Sequence, residues 1–307
     1  MKEILRSKFR GALIGSAVGD ALGAPVEGCT MEEVSLAYEN GWELKSGHYT
    51  DDTEMMIGVA ESLIERRGFD GADMARKFIQ NYHAWRHYGP GTRAVFELLA
   101  AGVSWEEASK RVFNGKGSYG NGAAMRIAPI GLFYHDDVDT LWDIAYKASH
   151  ITHSHVLGKE GAAIQAYSVA LALRGQREGM LTYLGARIKE GIYRDKISKI
   201  EQLMDADREL LIEELGNGEA AFNSVPTAIY SFLRFHTFSD SVIYAVSLGG
   251  DTDTIGAMTG AISGAYYGEE AIPPEWLSAL AQNESRRGLR YIGWLGDELY
   301  RIKFNIC

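Results

Sequence analysis

Apolar residues recur along this chain at helical rather than strand spacing. Across residues 52–67, Met55, Met56, Val59, Leu63 and Ile64 fall on one helix face, and Gly68 follows as a stop signal. Residues 156–174 are rich in Ala and Leu and close at Gly175. Residues 225–235, 239–248 and 253–267 are further helical runs. No convincing strand alternation bounded by turns is found. Residues 241–248, with Tyr, Val and Ile, come nearest to a strand, yet their surroundings are helical. The expected class is all-α.

Two stretches carry glycine at every fourth position: Gly11, Gly15, Gly19 and Gly23, then Gly256, Gly260, Gly264 and Gly268. Residues four apart share a helix face. A mid-helix glycine costs up to about 1 kcal/mol against alanine, so four per helix need a compensating reason. Close backbone approach of two packed helices supplies one, and the two glycine faces are expected to cross each other in the core. The same spacing marks paired membrane helices; Asp20 and the short apolar lengths fit that reading poorly.

Composition narrows the picture. With 46% hydrophobic and 23% charged residues, the chain can bury a large core, and its six prolines are scattered with no linker-like stretch. One domain over residues 1–307 is expected. A net charge of −10 argues against non-specific nucleic-acid binding, which needs a basic stripe. An anionic small ligand stays compatible, because bound cations invert a local field. No segment approaches about 20 uninterrupted apolar residues, and the first ten residues lack an apolar stretch, so a soluble cytoplasmic protein is expected. Cys29 and Cys307 read as free thiols.

Chemistry concentrates in two acidic segments. Thr50-Asp51-Asp52-Thr53-Glu54 and Asp251-Thr252-Asp253-Thr254 both sit where a helix begins. The plainer reading is capping, since Asp and Thr cap helices and Asp51 with Glu54 has capping-box spacing. Together the segments say more. Several carboxylates brought to one place repel unless positive charge lies between them. Oxygen ligands from Asp and Thr suit hard cations such as Mg²⁺ or Mn²⁺ rather than zinc. Two clusters could hold two ions that activate water and clamp a substrate oxygen.

The histidines compete weakly. His83 and His87 have i, i+4 spacing but lack the glutamate of a metalloprotease helix, and a helix surface is expected. His150, His153 and His155 would lack a fourth zinc ligand; one of them beside an anionic ligand fits better. Phe113-Asn-Gly-Lys-Gly-Ser-Tyr-Gly-Asn-Gly122, leading to Arg126, is neither a P-loop nor a dinucleotide fingerprint. Its glycines would let backbone N–H groups approach a phosphate, with a following helix N-terminus adding its dipole, while Phe113 and Tyr119 stack on a base. A flexible surface turn would have the same composition.

These pieces resemble the ADP-ribosylglycohydrolase family, which includes the dinitrogen-reductase-activating glycohydrolases. The resemblance rests on Gly15-Ser-Ala-Val-Gly-Asp-Ala-Leu-Gly23 leading to Glu27, on Thr50-Asp-Asp-Thr53, and on the loop from Phe113 to Arg126. It extends to Thr152-His153 with Leu157-Gly158, Leu215-Gly-Asn-Gly218, Ser224-Val-Pro-Thr-Ala-Ile-Tyr230 and Leu248-Gly-Gly-Asp-Thr-Asp-Thr-Ile255. The wording is nearest the branch that cleaves ADP-ribosyl-serine and poly(ADP-ribose). The resemblance implies a single-domain orthogonal helical bundle holding two Mg²⁺ or Mn²⁺ ions on Thr50, Asp51, Asp52, Asp251, Asp253 and Thr254. Glu27 matches a glutamate on a mobile loop that gates the site and takes part in the chemistry. As the one motif carboxylate not assigned to metal, it is the choice for general acid/base. Phe113 and Tyr119 match adenosine-contacting aromatics; Gly117, Ser118, Gly120, Asn121, Gly122 and His153 match residues around the diphosphate and riboses. Glu219 departs from the pattern, standing where the branch has an apolar residue near the adenosine.

The implied reaction is hydrolysis at ribose C1″ of ADP-ribosyl-serine, poly(ADP-ribose) or O-acetyl-ADP-ribose, releasing ADP-ribose through an oxocarbenium-like transition state. Competing readings are an ADP-ribosyl-arginine hydrolase, a metal-dependent phosphohydrolase, and a catalytically silent ADP-ribose-binding or structural protein. The expected partner is ADP-ribose or an ADP-ribosylated protein, with no membrane and no nucleic acid, and the expected state is a monomer.

Overall fold

A computed structural model describes residues 2–44, 47–283 and 287–306. Among these residues, seventeen α-helices follow one another. They are α1 Lys2–Gly23, α2 Met31–Ala37, α3 Asp51–Arg66, α4 Gly71–Asn81, α5 Pro90–Ala100, α6 Trp105–Ala108, α7 Ala128–Phe133, α8 Val138–His150, α9 Val156–Leu173, α10 Met180–Gly185, α11 Gly191–Lys199, α12 Arg208–Leu215, α13 Ala221–Arg234, α14 Phe238–Ser247, α15 Thr252–Tyr267, α16 Pro274–Asn283 and α17 Leu289–Lys303. No strand occurs among the described residues; pairing is confined to one antiparallel bridge between Gly120 and Ala220. The fold is all-α.

The long apolar runs fold as the periodicity predicts, with ends shifted by a residue or so. The helix expected over 52–67 stops at Arg67, which takes a left-handed φ of 54°. Residues 241–248, the nearest to a strand, lie almost wholly in α14, whose Ser241, Val242, Ala245 and Val246 are buried at helical spacing. The helix expected to begin at 225 begins at Ala221 instead, so Pro226 lies inside it. The turn ahead of that proline is held from outside: Ala221 N donates to Tyr119 O at 3.0 Å, and Ser224 Oγ accepts from Asn121 Nδ2 at 2.9 Å. Cys29 is free; Cys307 lies outside the described residues. No described helix is long and apolar enough to cross a membrane.

The two glycine rows face each other as expected, and the helices run antiparallel. A Cβ on Gly19 would stand 2.0 Å from Gly256 O, one on Gly260 2.0 Å from Gly15 O, and one on Gly264 1.9 Å from Gly11 O. Only glycine permits this approach, so the propensity loss is offset by tight, fully buried packing along α1 and α15. The antiparallel sense has a consequence for chemistry. It sets the C-terminal end of α1 against the first turn of α15, where Thr252 Oγ1 donates to Gly23 O at 2.9 Å. The segment carrying Glu27 therefore leaves α1 beside Asp251, and Gly28 N and Gly250 N form a reciprocal pair with Gly250 O and Cys29 O at 2.8 Å each.

Candidate active site

Capping can be checked bond by bond at α3. Thr50 N donates to both carboxylate oxygens of Asp20 at 2.9 and 3.0 Å. Thr53 N and Thr53 Oγ1 donate to Asp20 Oδ2 at 3.1 and 2.6 Å. Asp52 N is served by Thr50 Oγ1 at 3.4 Å, and Asp51 N by Arg86 O at 2.8 Å. The orphan donors of this helix end are thus satisfied from α1, from Thr50 and from the loop before α5. The carboxylates of Asp51 and Asp52 are left over. Glu54 does not close a capping box: it turns back into the protein, forming an ion pair with Arg86 Nε at 3.0 Å and a hydrogen bond with His83 Nδ1 at 3.1 Å.

At α15 the first-turn donor Thr254 N is taken by Asp253 Oδ1 at 2.8 Å, while Asp251, at the cap position, makes no side-chain cap bond. Its side chain instead accepts from Asn121 Nδ2. The two acidic segments meet where Thr254 Oγ1 lies 3.5 Å from Asp52 Oδ1. Oxygens of Glu27, Asp251 and Asp253 come within 4.8 Å of one another, a grouping able to hold a metal ion. Glu27, kept apart from the ligands in the sequence reading, shares that reach. All of these except Thr50 line one cleft of about 510 Å³; Thr50 is buried just behind, its Oγ1 3.4 Å from Asp52 Oδ1.

The cluster gathers buried carboxyl groups whose charged forms are costly. Burial raises Asp51, Asp52 and Asp253 well above the ordinary carboxylate range, and neighbouring carboxylates push the same way. Asp20 and Asp251 are each pushed up to about 6, by burial first, even though hydrogen bonds from Thr53 and Thr50, or from Asn121, pull them down. Asp52 Oδ2 is buried with no hydrogen-bond partner, which is uncommon in a native interior and leaves that oxygen open to a bound ion. An all-oxygen donor set around an orphaned buried carboxylate oxygen fits a hard divalent ion.

The glycine loop forms the opposite wall, and it is packed rather than free. A Cβ on Gly117 would stand 2.2 Å from Ser154 Oγ, and one on Gly122 2.8 Å from His153 Cε1. Gly120 N bonds Ser118 Oγ at 3.1 Å, and Asn121 N bonds Glu219 O at 2.9 Å. The amides of Ser118 and Gly122 have no backbone acceptor among the described residues. Contrary to expectation, no α-helix follows directly. A three-residue 3₁₀ turn, Asn121–Ala123, intervenes, and Arg126 beyond it is buried in the core. Ser118, Gly120, Asn121, Gly122, Phe113 and His153 line the cleft. Gly117 and Tyr119 line an adjoining cavity of about 300 Å³ that shares Phe113, Ser118, Gly120 and Glu219. Phe113 and Tyr119 are half exposed, at 53% and 52%, and the exposed Glu219 lies between the two cavities.

His83 and His87 lie in the loop between α4 and α5, not on a helix. His87 adopts a φ of 64° and stands 3.6 Å from Glu27 Oε2, while His83 serves Glu54, so the two do not converge. His150, His153 and His155 also diverge. His150 Nε2 bonds Glu106 O, His153 Nδ1 bonds Thr152 Oγ1, and His155 Nδ1 caps α9 through Leu157 N. The sequence reading assigned no role to Asp20, Arg86, Arg126 or Thr152. A lone aspartate inside a buried glycine row was the available signal for Asp20.

Comparison with known proteins finds relatives over nearly the whole chain. Residues 1–303 match the ADP-ribosylglycohydrolase family. ADP-ribosylhydrolase ARH3 of Mus musculus is 37% identical over 96% of this chain and 92% of its own length. ADP-ribosyl-[dinitrogen reductase] glycohydrolase of Rhodospirillum rubrum is 31% identical over 92% of this chain and 93% of its own. A solved structure titled ADP-ribosylglycohydrolase-related protein complex matches with a TM-score of 0.76 at 30% identity, over 98% of this chain and 99% of that one. The chain belongs to the ADP-ribosylglycohydrolase family and is an enzyme that hydrolyses glycosidic bonds.

Proposed function

We propose that this chain cleaves the bond at C1″ of the distal ribose in ADP-ribosyl-serine, poly(ADP-ribose) or O-acetyl-ADP-ribose and releases ADP-ribose. Two divalent cations, Mg²⁺ or Mn²⁺, would be held by Thr50, Asp51, Asp52, Asp251, Asp253 and Thr254. The observation that carries this reading is that the carboxylates of Asp51, Asp52 and Asp251 cap nothing, yet are buried against one another at two helix starts. When bound, the cations supply the charge that offsets these carboxylates and polarise ribose hydroxyls and water.

The chain's own residues do the rest. Glu27 is exposed at the cleft mouth, between His87 and the acid cluster. It moves the proton, to the leaving oxygen or from the attacking water. Phe113 and Tyr119 offer ring faces to the adenine. The amides of Ser118 and Gly122, with Gly117, Gly120, Asn121 and His153, surround the diphosphate and riboses. Asn121 holds Asp251 in place from the same loop, which couples ligand binding to the acid cluster. The whole chain would work as one domain, as a monomer.

Similarity to ARH3 and to the Rhodospirillum glycohydrolase supports ADP-ribosylated substrates; the choice of serine-linked and polymeric ones rests on the wording of the glycine loop and of Ser224 to Tyr230, and the arginine linkage stays in the test. The experiment is ADP-ribose release from serine-linked, arginine-linked and polymeric substrates, with Mg²⁺ and with chelator. Metal-dependent release from the first and third is expected. Release from the arginine linkage alone would move the assignment, AMP as product would replace it with a phosphohydrolase, and no turnover on any substrate would overturn it.

A further inference from the structure

Behind the cleft, His153 is backed by two buried polar residues, Arg126 and Thr152, that do not line it. Arg126 is 1% exposed. Its Nη1 donates to Gly122 O at 2.5 Å. Its Nη2 donates to Thr152 Oγ1 at 2.7 Å and to Ala148 O at 3.4 Å. Thr152 Oγ1 is in turn 2.7 Å from His153 Nδ1. The ring of His153 lies along the glycine loop: a Cβ on Gly122 would stand 3.0 Å from its Nε2, and one on Gly120 3.6 Å.

Donor counting makes this chain of hydrogen bonds directional. A guanidinium only donates, so Thr152 Oγ1 must accept from it. The threonine hydroxyl then has one proton to give, and the only acceptor it meets among the described residues is His153 Nδ1. An Nδ1–H could occupy the oxygen's second lone pair, but it would leave the buried hydroxyl proton without an acceptor; in the satisfied arrangement Nδ1 carries no proton, and the neutral ring bears its proton on Nε2. We infer that Arg126 and Thr152 are positioning residues that lock His153 as a neutral Nε2–H donor aimed at the ligand held by the glycine loop. Protonation of the ring is opposed from two sides: burial, and the charge of Arg126, lower His153 to about 3. The donor thus keeps one form across the physiological range, where an ordinary histidine would switch.

What His153 donates to rests on the proposed function, but the lock itself does not. The first test uses ligand-free protein with ¹⁵N-labelled histidine rings. Long-range ¹H–¹⁵N spectra of the wild type should show His153 protonated at Nε2 alone, unchanged between pH 5 and 8. Thr152→Val, which keeps the shape and removes the hydroxyl, should bring Nδ1–H or ring titration, and Thr152→Ser should restore the wild-type pattern. Binding of ADP-ribose by calorimetry should weaken about tenfold in Thr152→Val, as expected for one misdirected hydrogen bond to a charged group, and return in Thr152→Ser. A wild-type spectrum with Nδ1–H, or a Thr152→Val spectrum identical to it, overturns the lock. If Thr152→Val fails to fold, the wild-type spectrum alone still decides. Absence of ADP-ribose binding to wild type with the lock intact would instead count against the proposed function.

Discussion

Removing divalent cations should make the stability of this protein fall as pH rises, and adding them should reverse the trend. The magnitude follows from two carboxyl groups. Asp20 and Asp251 hold their protons to about 6, against an ordinary value of 3.8. Below 3.8 both folded and unfolded chains are protonated, and the groups exert no pH-dependent penalty. Between 3.8 and 6 the folded chain retains protons that the unfolded chain has released, so stability drops with each increment of pH. Above 6 the full penalty is in place, roughly 3 kcal/mol for each group. The two groups share one cluster, so roughly 3–6 kcal/mol is expected for both together. About half of this penalty is already in place at pH 5, so at about 2 °C of melting temperature per kcal/mol for a chain of this length the fall between pH 5 and 8 is about 3–6 °C. A cation binds the deprotonated form, so Mg²⁺ should stabilise little at pH 5 and strongly at pH 8. The assay is thermal unfolding by circular dichroism at pH 5, 6, 7 and 8, in chelator and in excess MgCl₂. Equal melting temperatures across that range in chelator would refute the electrostatic reading, as would equal Mg²⁺ stabilisation at both ends.

Three further outcomes are expected. Glu27→Gln should bind ADP-ribose as the wild type does while losing at least about 10²-fold in turnover, the ordinary contribution of one acid/base group; full activity would remove Glu27 from the chemistry. Gly260→Ala should lower urea stability by about 3 kcal/mol or more, since its Cβ would stand 2.0 Å from Gly15 O and force α1 from α15. Gly185→Ala, which meets nothing within 4 Å, is its neutral control, and equal effects would discredit the packing argument. Glu219→Gln should tighten ADP-ribose binding about threefold at low salt, by relieving repulsion of the diphosphate, with the gain shrinking as salt screens it; a gain indifferent to salt would contradict this.

The main helices were legible because their cause is local. Periodic burial predicts α9 and α15 closely, and the glycine rows announce their own packing because the steric cost of a side chain there is a backbone property. The errors have the opposite origin. The expected start of α13 is Val225, beside the local signal of Pro226, while the bonds that carry the helix back to Ala221 come from Tyr119 and Asn121, about a hundred residues earlier. His83 and His87 mimic a helical pair, but Gly89 and Pro90 follow at once, and Glu54 and Glu27 draw the two rings apart.

The acidic segments show most clearly where a sequence runs out. Capping and metal binding use the same residue types at the same place, the first turn of a helix, so local composition cannot separate them. What separates them is whether the backbone donors have another partner. For α3 that partner is Asp20, thirty residues upstream and presented by a helix whose position depends on the glycine contact with α15. Asp20 takes over the capping, and by doing so leaves Asp51 and Asp52 uncommitted at the one point where α15 delivers Asp251 and Asp253. The same glycine contact therefore brings the two acidic segments together and frees one of them to bind something else. A structural element and a chemical one share a single cause here, which is why the glycine spacing, silent about chemistry by itself, is as much a part of the site as the carboxylates.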